Sequence, residues 1–484
     1  MYQRWISAGL LLASALATSA CWPITIVQVN LENPSPRVGE STTLRLEVQA
    51  GLIANPVYYY RAKRGRIVGL NGETGPQGGF VRASNQVKYF APYTSTYQAV
   101  DGIRTDDNIE ILVQDGTQIS RANKTVNIVG STVVFSTQAA VTAPGACTTG
   151  SNGTLMIATD TGGQQQTQPQ AMKDLSGRDI KGTSPVISPN GERIAYVFYP
   201  GDGTSKIMMR DSAGQVLALT NNAKGLNVDP AWSPDGSFLL FAGNHETPDA
   251  TYEIYMENVD QVEGGRAVTR LTNNNWDERH PAWNPTAVGQ LTTGTTSTAA
   301  GQGTIAVSAR KNTLQSPGGR QQNWNIFLLD GRGNYTREIS GLQGDGDNWA
   351  IEPSWRPDGN ALAYTRYGPV NNFQSNAAKF QRIFVQELQQ STQYQPLNLS
   401  NTDPNAKESS PIWSLAQQNL MYFLRTEGSF QQGARVYQTQ YIPGGGSNTF
   451  PPALIGPFQA QSLQLTEVGC TNRDISGYHP LDWR

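Results

Sequence analysis

Acidic, imidazole and hydroxyl side chains recur at one position of a repeated segment, and any chemistry in this chain starts there. Three histidines occur in 484 residues, and two of them, His280 and His479, stand directly before a proline at equivalent places. The same place holds Ser184, Asp229, Glu352 and Ser410. If the fold gathers these repeats around a common axis, all six line one mouth of a channel, with His245 on the same face. Two imidazoles and two carboxylates, His280, His479, Asp229 and Glu352, could then ligate zinc or another divalent ion. Solvated polar lining is the alternative. The loop Asp345-Gly346-Asp347-Asn348, near Glu352, alternates oxygen ligands in a way that suits calcium, but lacks the remaining spacing of a helix-loop-helix site, and a plain turn is the favoured reading. Trp276, Trp324 and Trp349 fall before or between strands, where Trp324 and Trp349 are candidate exposed anchors for a ligand such as a glycan. The chain contains no Gly-x-Ser-x-Gly nucleophile elbow and no phosphate-cradling glycine loop followed by Lys-Ser or Lys-Thr. No catalytic residue is assigned and no cofactor is expected.

The elements that position these residues are short strands. Glycine at 49 and proline at 28 punctuate the chain too often for long helices. Lys plus Arg number 36 against 38 for Asp plus Glu, a net charge of -2, so the basic footprint of a nucleic-acid binder is missing. The segments Ser184-Pro185-Val186-Ile187-Ser188-Pro189-Asn190-Gly191, Asp229-Pro230-Ala231-Trp232-Ser233-Pro234-Asp235-Gly236 and Glu352-Pro353-Ser354-Trp355-Arg356-Pro357-Asp358-Gly359 align. His280-Pro281-Ala282-Trp283-Asn284-Pro285, Ser410-Pro411-Ile412-Trp413 and a terminal His479-Pro480-Leu481-Asp482-Trp483 are degenerate copies. Each of the first five precedes an apolar strand: Arg193 to Phe198, Phe238 to Ala242, Thr304 to Ala309, Ala361 to Tyr364 and Asn419 to Leu424. A further strand follows, as in Glu253 to Met256, Asn325 to Leu328 and Arg382 to Val385. Repeats of this kind predict one four-stranded propeller blade each.

These residues resemble the TolB-like six-bladed β-propeller family, whose repeat carries Pro-x-Trp-Ser-Pro-Asp-Gly before a strand and Leu-Thr at the blade end, as in Leu219-Thr220 and Leu271-Thr272. The resemblance covers residues 147 to 484. It implies a non-enzymatic interaction module of the cell envelope. The first strand of the last blade is expected from the C-terminus, with Pro480 to Trp483 completing the blade begun by Gly153 to about Leu175 and removing both open sheet edges. Cys147 and Cys470 flank that seam as an even pair in an exported chain, which predicts a disulfide.

Residues 1 to 21 have one arginine, an apolar run from Ala8 to Ala17 and small residues before Cys21, the parts of a secretory signal. The cysteine resembles a bacterial lipobox, with Thr18 where that motif prefers leucine. Cys21 would carry the lipid and anchor the protein in a membrane. Trp22, where an Asp would argue for inner-membrane retention, points to the outer membrane, with the periplasmic or surface orientation open. Residues 22 to 135 alternate as half-buried strands: Ile24 to Val29, Thr42 to Val48, Val57 to Tyr60, Gln86 to Phe90, Asn108 to Val113 and Lys124 to Val129. They predict a β-sandwich that resembles bacterial immunoglobulin-like modules. The expected whole is an all-β, lipid-anchored envelope protein whose propeller binds other envelope proteins. A metal-dependent or carbohydrate-active propeller enzyme, or a glycan-binding module at the channel mouth, is the rival. Long loops at Thr286 to Gly303, Lys311 to Asn323, Gly368 to Gln381 and Pro443 to Pro452 are where binding would sit.

Overall fold

The computed structural model describes residues 23–454 apart from 38–39, 51–54, 76–78, 93–96, 100–101, 105, 129–130, 137–151, 161–169, 190, 221–224, 247–250, 261–267, 288–304, 312–322, 341–348, 370–378, 389–394, 397–406, 414–418, 427–434 and 442–452. Cys21, Cys147, Cys470, His479, the Asp345–Asp347 loop, the terminal Pro480–Trp483 segment and most of the four long loops lie outside the described residues. Among those described, every regular element is a strand. They form two compact units, Met1–Ser131 and essentially Thr132–Arg484.

In the first unit, two four-stranded antiparallel sheets enclose one apolar core. One sheet runs Thr25–Leu31, Ser41–Gln49, Gln86–Phe90, Arg66–Gly69; the other runs Gln118–Asn127, Asp106–Asp115, Val57–Ala62, Val81–Ala83. Asp106–Asp115 alternates strictly between buried and half-buried positions, sending Ile109, Ile111 and Val113 into the core. Each expected strand has a counterpart: Gln86–Phe90 keeps its bounds, and the others are extended or shifted by a few residues.

In the second unit, the repeats become blades. Four four-stranded antiparallel sheets have the first strands Asn227–Trp232, Trp276–Trp283, Trp349–Trp355 and Lys407–Trp413, each followed in order by its own second, third and fourth strands. The strands Lys181–Ile187, Arg193–Phe198, Lys206–Asp211 and Val216–Ala218 repeat that order inside a seven-stranded sheet. Three sequence signals have visible physical causes. Gly191, Gly236 and Gly359 take φ of 72°, 75° and 71° at the turn between the first and second strands, where a side chain would be strained. Asp235 closes the turn by accepting from Ser233 Oγ at 2.6 Å and the Ser237 amide at 3.1 Å. The blade-end hydroxyls of Thr220, Thr272 and Ser340 accept from the third-strand amides of Ile207, Ile254 and Ile326 at 2.8 to 2.9 Å. Those amides are buried, and the hydroxyl supplies the partner that the short fourth strand does not.

Tryptophan joins one blade to the next. The indole N–H of Trp232, Trp355 and Trp413 donates to the carbonyl of Val186, Ala282 and Ser354 at 3.0 to 3.1 Å. In each case the acceptor follows the repeat proline of the preceding blade, and the ring is buried. The indole both fills the gap between twisted sheets and satisfies a carbonyl there.

The start of the second unit differs from expectation. Ser131–Ser136 pairs with Gly153–Asp160, so the boundary falls at residues 131–132 and the propeller takes in strands before 147. The other edge of Gly153–Asp160 is occupied by Gln170–Ala171, through Met156 and Ile157, and by Lys181–Ile187, through Gly153 and Thr154. The Pro480 to Trp483 segment, expected beside the strand that begins at Gly153, lies outside the described residues.

Candidate functional site

The residue before each repeat proline has one backbone conformation. Ser184, Asp229, His280, Glu352 and Ser410 all have left-handed φ between 48° and 59°. Non-glycine residues rarely enter that region, and each costs on the order of 1–2 kcal/mol there. The register of the first strand slips at the same step in every blade, between Thr183 and Val186, Val228 and Ala231, Arg279 and Ala282, Ile351 and Ser354, and Ser409 and Ile412. A bulge with its first residue left-handed turns that side chain out of the pleat. The proline supplies no N–H, so the unpaired position of the bulge leaves no amide unsatisfied.

The side chains so presented reach the next blade. Asp229 Oδ2 accepts from Arg279 Nε at 2.6 Å and from the His280 amide at 3.1 Å. His280 Nδ1 lies 3.2 Å from Ser308 Oγ, and the same hydroxyl receives the Glu352 amide at 3.2 Å. Glu352 Oε2 accepts from Thr365 Oγ1 at 2.8 Å and from the Ser410 amide at 2.7 Å, while the Ser410 hydroxyl lies 3.2 Å from Glu352 Oε1. One rule covers these contacts: the amides of His280, Glu352 and Ser410 are each bonded by a side chain of the preceding blade. The bulge frees that amide from its own ladder and the neighbour takes it.

This arrangement revises the reading of the ring. Asp229 and His280 are each 5% exposed, which makes them buried links and not a solvated lining. Of the four metal candidates, Asp229, His280 and Glu352 are bonded within and between blades as described, and His479 lies outside the described residues. Among the described residues no group of three or more His, Cys, Asp or Glu side chains is placed to hold a metal ion. Burial alone would favour neutral Arg279, but the charge of Asp229, then Tyr252 and the hydrogen bond to Asp229, together outweigh it and hold the guanidinium above its ordinary value. The Arg279 guanidinium also sits 4.4 Å from the centre of the Tyr252 ring.

The two tryptophan anchors are also elsewhere than expected. Trp324 and Trp349 are 2% and 6% exposed and pack with Ile351 and Tyr367, Trp349 stacking on Tyr367 at 4.8 Å. Neither ring is open to a glycan. Their place before a strand left exposure undetermined, and the neighbouring blade core claims large apolar rings. His245 is enclosed against Tyr255, with ring centres 4.4 Å apart. Its pKa is lowered by burial, with Glu246 raising and Arg270 lowering it further.

Sequence reasoning missed several buried acids, two of them at one position of the repeat. Glu278 and Glu408 are fully enclosed and stand two residues before the left-handed position. The equivalent residues in the other described blades are Gly182, Asn227 and Ala350, all uncharged. An acid in an otherwise neutral column of the repeat was the available signal.

Comparison with known proteins agrees with the repeats. A family model described as the TolB beta propeller domain matches residues 127–307. An uncharacterized protein of Agrobacterium fabrum is 26% identical over 183 residues, 38% of this chain and 54% of the relative. The chain thus spans about half the length of the curated relative it matches. Among solved structures, TolB from Acinetobacter baumannii is 18% identical, with 71% of this chain and 75% of that chain covered and a TM-score of 0.41. A TolB-type protein from Agrobacterium tumefaciens is 13% identical, with coverage of 71% and 88% and a TM-score of 0.34. A puromycin-hydrolyzing peptidase of Mycobacterium tuberculosis is 12% identical, with coverage of 73% and 52% and a TM-score of 0.36. Repeat motifs and blade order agree with the family match, which gives residues 127–307 the character of a TolB-like β-propeller.

Proposed function

We propose that this chain is a cell-envelope protein that presents its propeller as a scaffold for binding other envelope proteins, held at the outer membrane by a lipid on Cys21. The observation that carries the reading is the ring: its acids, imidazole and hydroxyls are engaged in bonds that hold blades together. Such a wall is rigid, and recognition falls to the loops it displays. The N-terminal sandwich, an immunoglobulin-like module in this reading, follows the anchor cysteine and precedes the propeller in the sequence. Burial of Trp324 and Trp349 removes the support for a glycan-binding role.

The ring has six blades in this account. The indole-to-carbonyl series from Val186 to Ser354 continues to the carbonyl of Ile412, whose side chain is 61% exposed, and Trp483 is the next tryptophan in the chain. In this reading Pro480 to Trp483 completes the blade that Gly153 to about Leu175 begins, and a Cys147–Cys470 disulfide fastens the seam. Crosslinking in intact cells, with the captured protein identified by mass spectrometry, tests the function. A reproducible envelope partner, lost from the membrane fraction together with the Cys21→Ser variant, is the expected result. Turnover of a carbohydrate or peptide substrate by the purified chain would contradict it.

A further inference from the structure

Glu253 and Glu278 meet across the seam between two neighbouring blades with too little positive charge for both. Each side chain is fully enclosed. Glu253 Oε1 accepts from Arg270 Nη2 at 2.9 Å and from the Asn274 amide at 3.1 Å. Glu278 Oε1 accepts from Asn274 Nδ2 at 2.7 Å and from the Tyr335 hydroxyl at 2.6 Å. One asparagine thus bridges the two carboxyls, its main chain on the first and its side chain on the second. The second oxygen of each acid, Glu253 Oε2 and Glu278 Oε2, is buried and has no hydrogen-bond partner among the described residues.

The charges around the pair do not balance without a proton. Arg270 pairs with Glu253. Asp277, beside Glu278 in the chain, is paired with Arg310 at 3.1 Å, and Arg279 with Asp229 at 2.6 Å. The remaining groups that face Glu278 are the neutral donors Asn274 and Tyr335. Two enclosed carboxylates and one available cation leave one uncompensated negative charge, a state that burial disfavours strongly. We propose that Glu253 and Glu278 hold one proton between them in the folded protein, and that its loss loosens the seam between these two blades.

The proton resides on Glu278, because that acid lacks the cation. On loss, the O–H bond breaks, the electron pair stays on the carboxylate and the proton passes to water past Asn274, which is exposed. Burial first, then the charge of Glu253, pushes the Glu278 carboxyl up to about 8, against the pull of Tyr335 and Asn274. A carboxyl raised on folding binds more protons in the folded chain than in the unfolded one between the two values. Stability therefore falls as pH climbs from the ordinary carboxyl range to about 8, then levels off.

Equilibrium unfolding of the full chain across pH 6 to 10 reads this directly, alongside infrared detection of the carboxylic-acid C=O stretch in the folded protein. Wild type should lose the acid band with a midpoint near 8, and its stability should fall with pH up to about that value and then level off. Glu278→Gln, which keeps shape and a donor but cannot ionise, should lose that component of the pH dependence. Tyr335→Phe removes a donor to the ionised form and should move the midpoint up. Glu253→Gln removes the like charge and should move it down. Parallel pH curves for wild type and Glu278→Gln, or no acid band above pH 6, would overturn the proposal. So would a wild type that calcium stabilises, with Glu278→Gln indifferent, because the pair would then hold a metal cation in place of the proton.

Discussion

Replacing Asp229 by alanine tests the blade-to-blade bonding at its most enclosed point. Its side chain is 3% exposed and that of Arg279 is 7%, with 2.6 Å between Oδ2 and Nε. Truncation removes the carboxylate paired with the buried Arg279 guanidinium and also leaves the His280 amide without its Oδ2 acceptor. Breaking a buried pair in this one-sided way costs about 3–5 kcal/mol. Arg279→Met deletes the stranded charge while keeping apolar volume, so the double variant should be more stable than Asp229→Ala alone. Asp229→Asn keeps the acceptor and loses the charge, and should cost about 1.5–3 kcal/mol. Guanidinium unfolding followed by tryptophan fluorescence isolates the propeller, because Trp5 and Trp22 are the only tryptophans before Trp232. A loss below about 1 kcal/mol for Asp229→Ala, or a double variant equal to the sum of the single ones, would refute the bonding argument.

Four further outcomes follow from the same geometry. Ser184→Gly relieves a left-handed φ of 48° and should stabilise the propeller by up to about 1 kcal/mol, the strain released less the added freedom of the unfolded chain, read as a higher unfolding midpoint. Thr272→Val strands the Ile254 amide and should cost about 1–3 kcal/mol in the same assay, while Thr272→Ser, which keeps the hydroxyl, should cost less. Trp355→Phe loses the bond to the Ala282 carbonyl, whereas the Trp283 indole N–H has no partner among the described residues; calorimetry should find Trp355→Phe the costlier by about 1 kcal/mol. Glu408 is raised to about 7 by burial, against the pull of Arg382 and Arg425, so it binds a proton on folding; stability should fall between pH 4.5 and 7, by about 3 kcal/mol at most, and Glu408→Gln should flatten that slope in pH-dependent unfolding.

The blades were legible because their signals are local. A glycine at positive φ, an aspartate that closes a turn and a threonine that bonds a third-strand amide act within a few residues or within one blade, and the repeat multiplies the signal. Arg193–Phe198 matches its expected bounds, and the other second strands differ by a few residues at their ends. The ring was legible as a position but not as a role. Its left-handed backbone arises from a bulge, and the partners of the His280, Glu352 and Ser410 amides come from another blade 44 to 58 residues away in sequence. Trp324 and Trp349 were misread for a similar reason, since only the packed neighbour Tyr367 decides that a tryptophan before a strand is covered. The pairing of Glu253 with Glu278 depends on two blades meeting, and neither residue alone announces it.

The measurement that bears most directly on the central claim is the metal content of the purified full chain, taken with the unfolding midpoints of wild type, His280→Ala and Glu352→Gln. If the ring binds blade to blade, no stoichiometric metal accompanies the wild type, chelator leaves its midpoint unchanged, and both variants unfold earlier. Stoichiometric metal in the wild type that both variants lose, with a midpoint that falls on chelation, would make the ring a ligand centre and contradict the account.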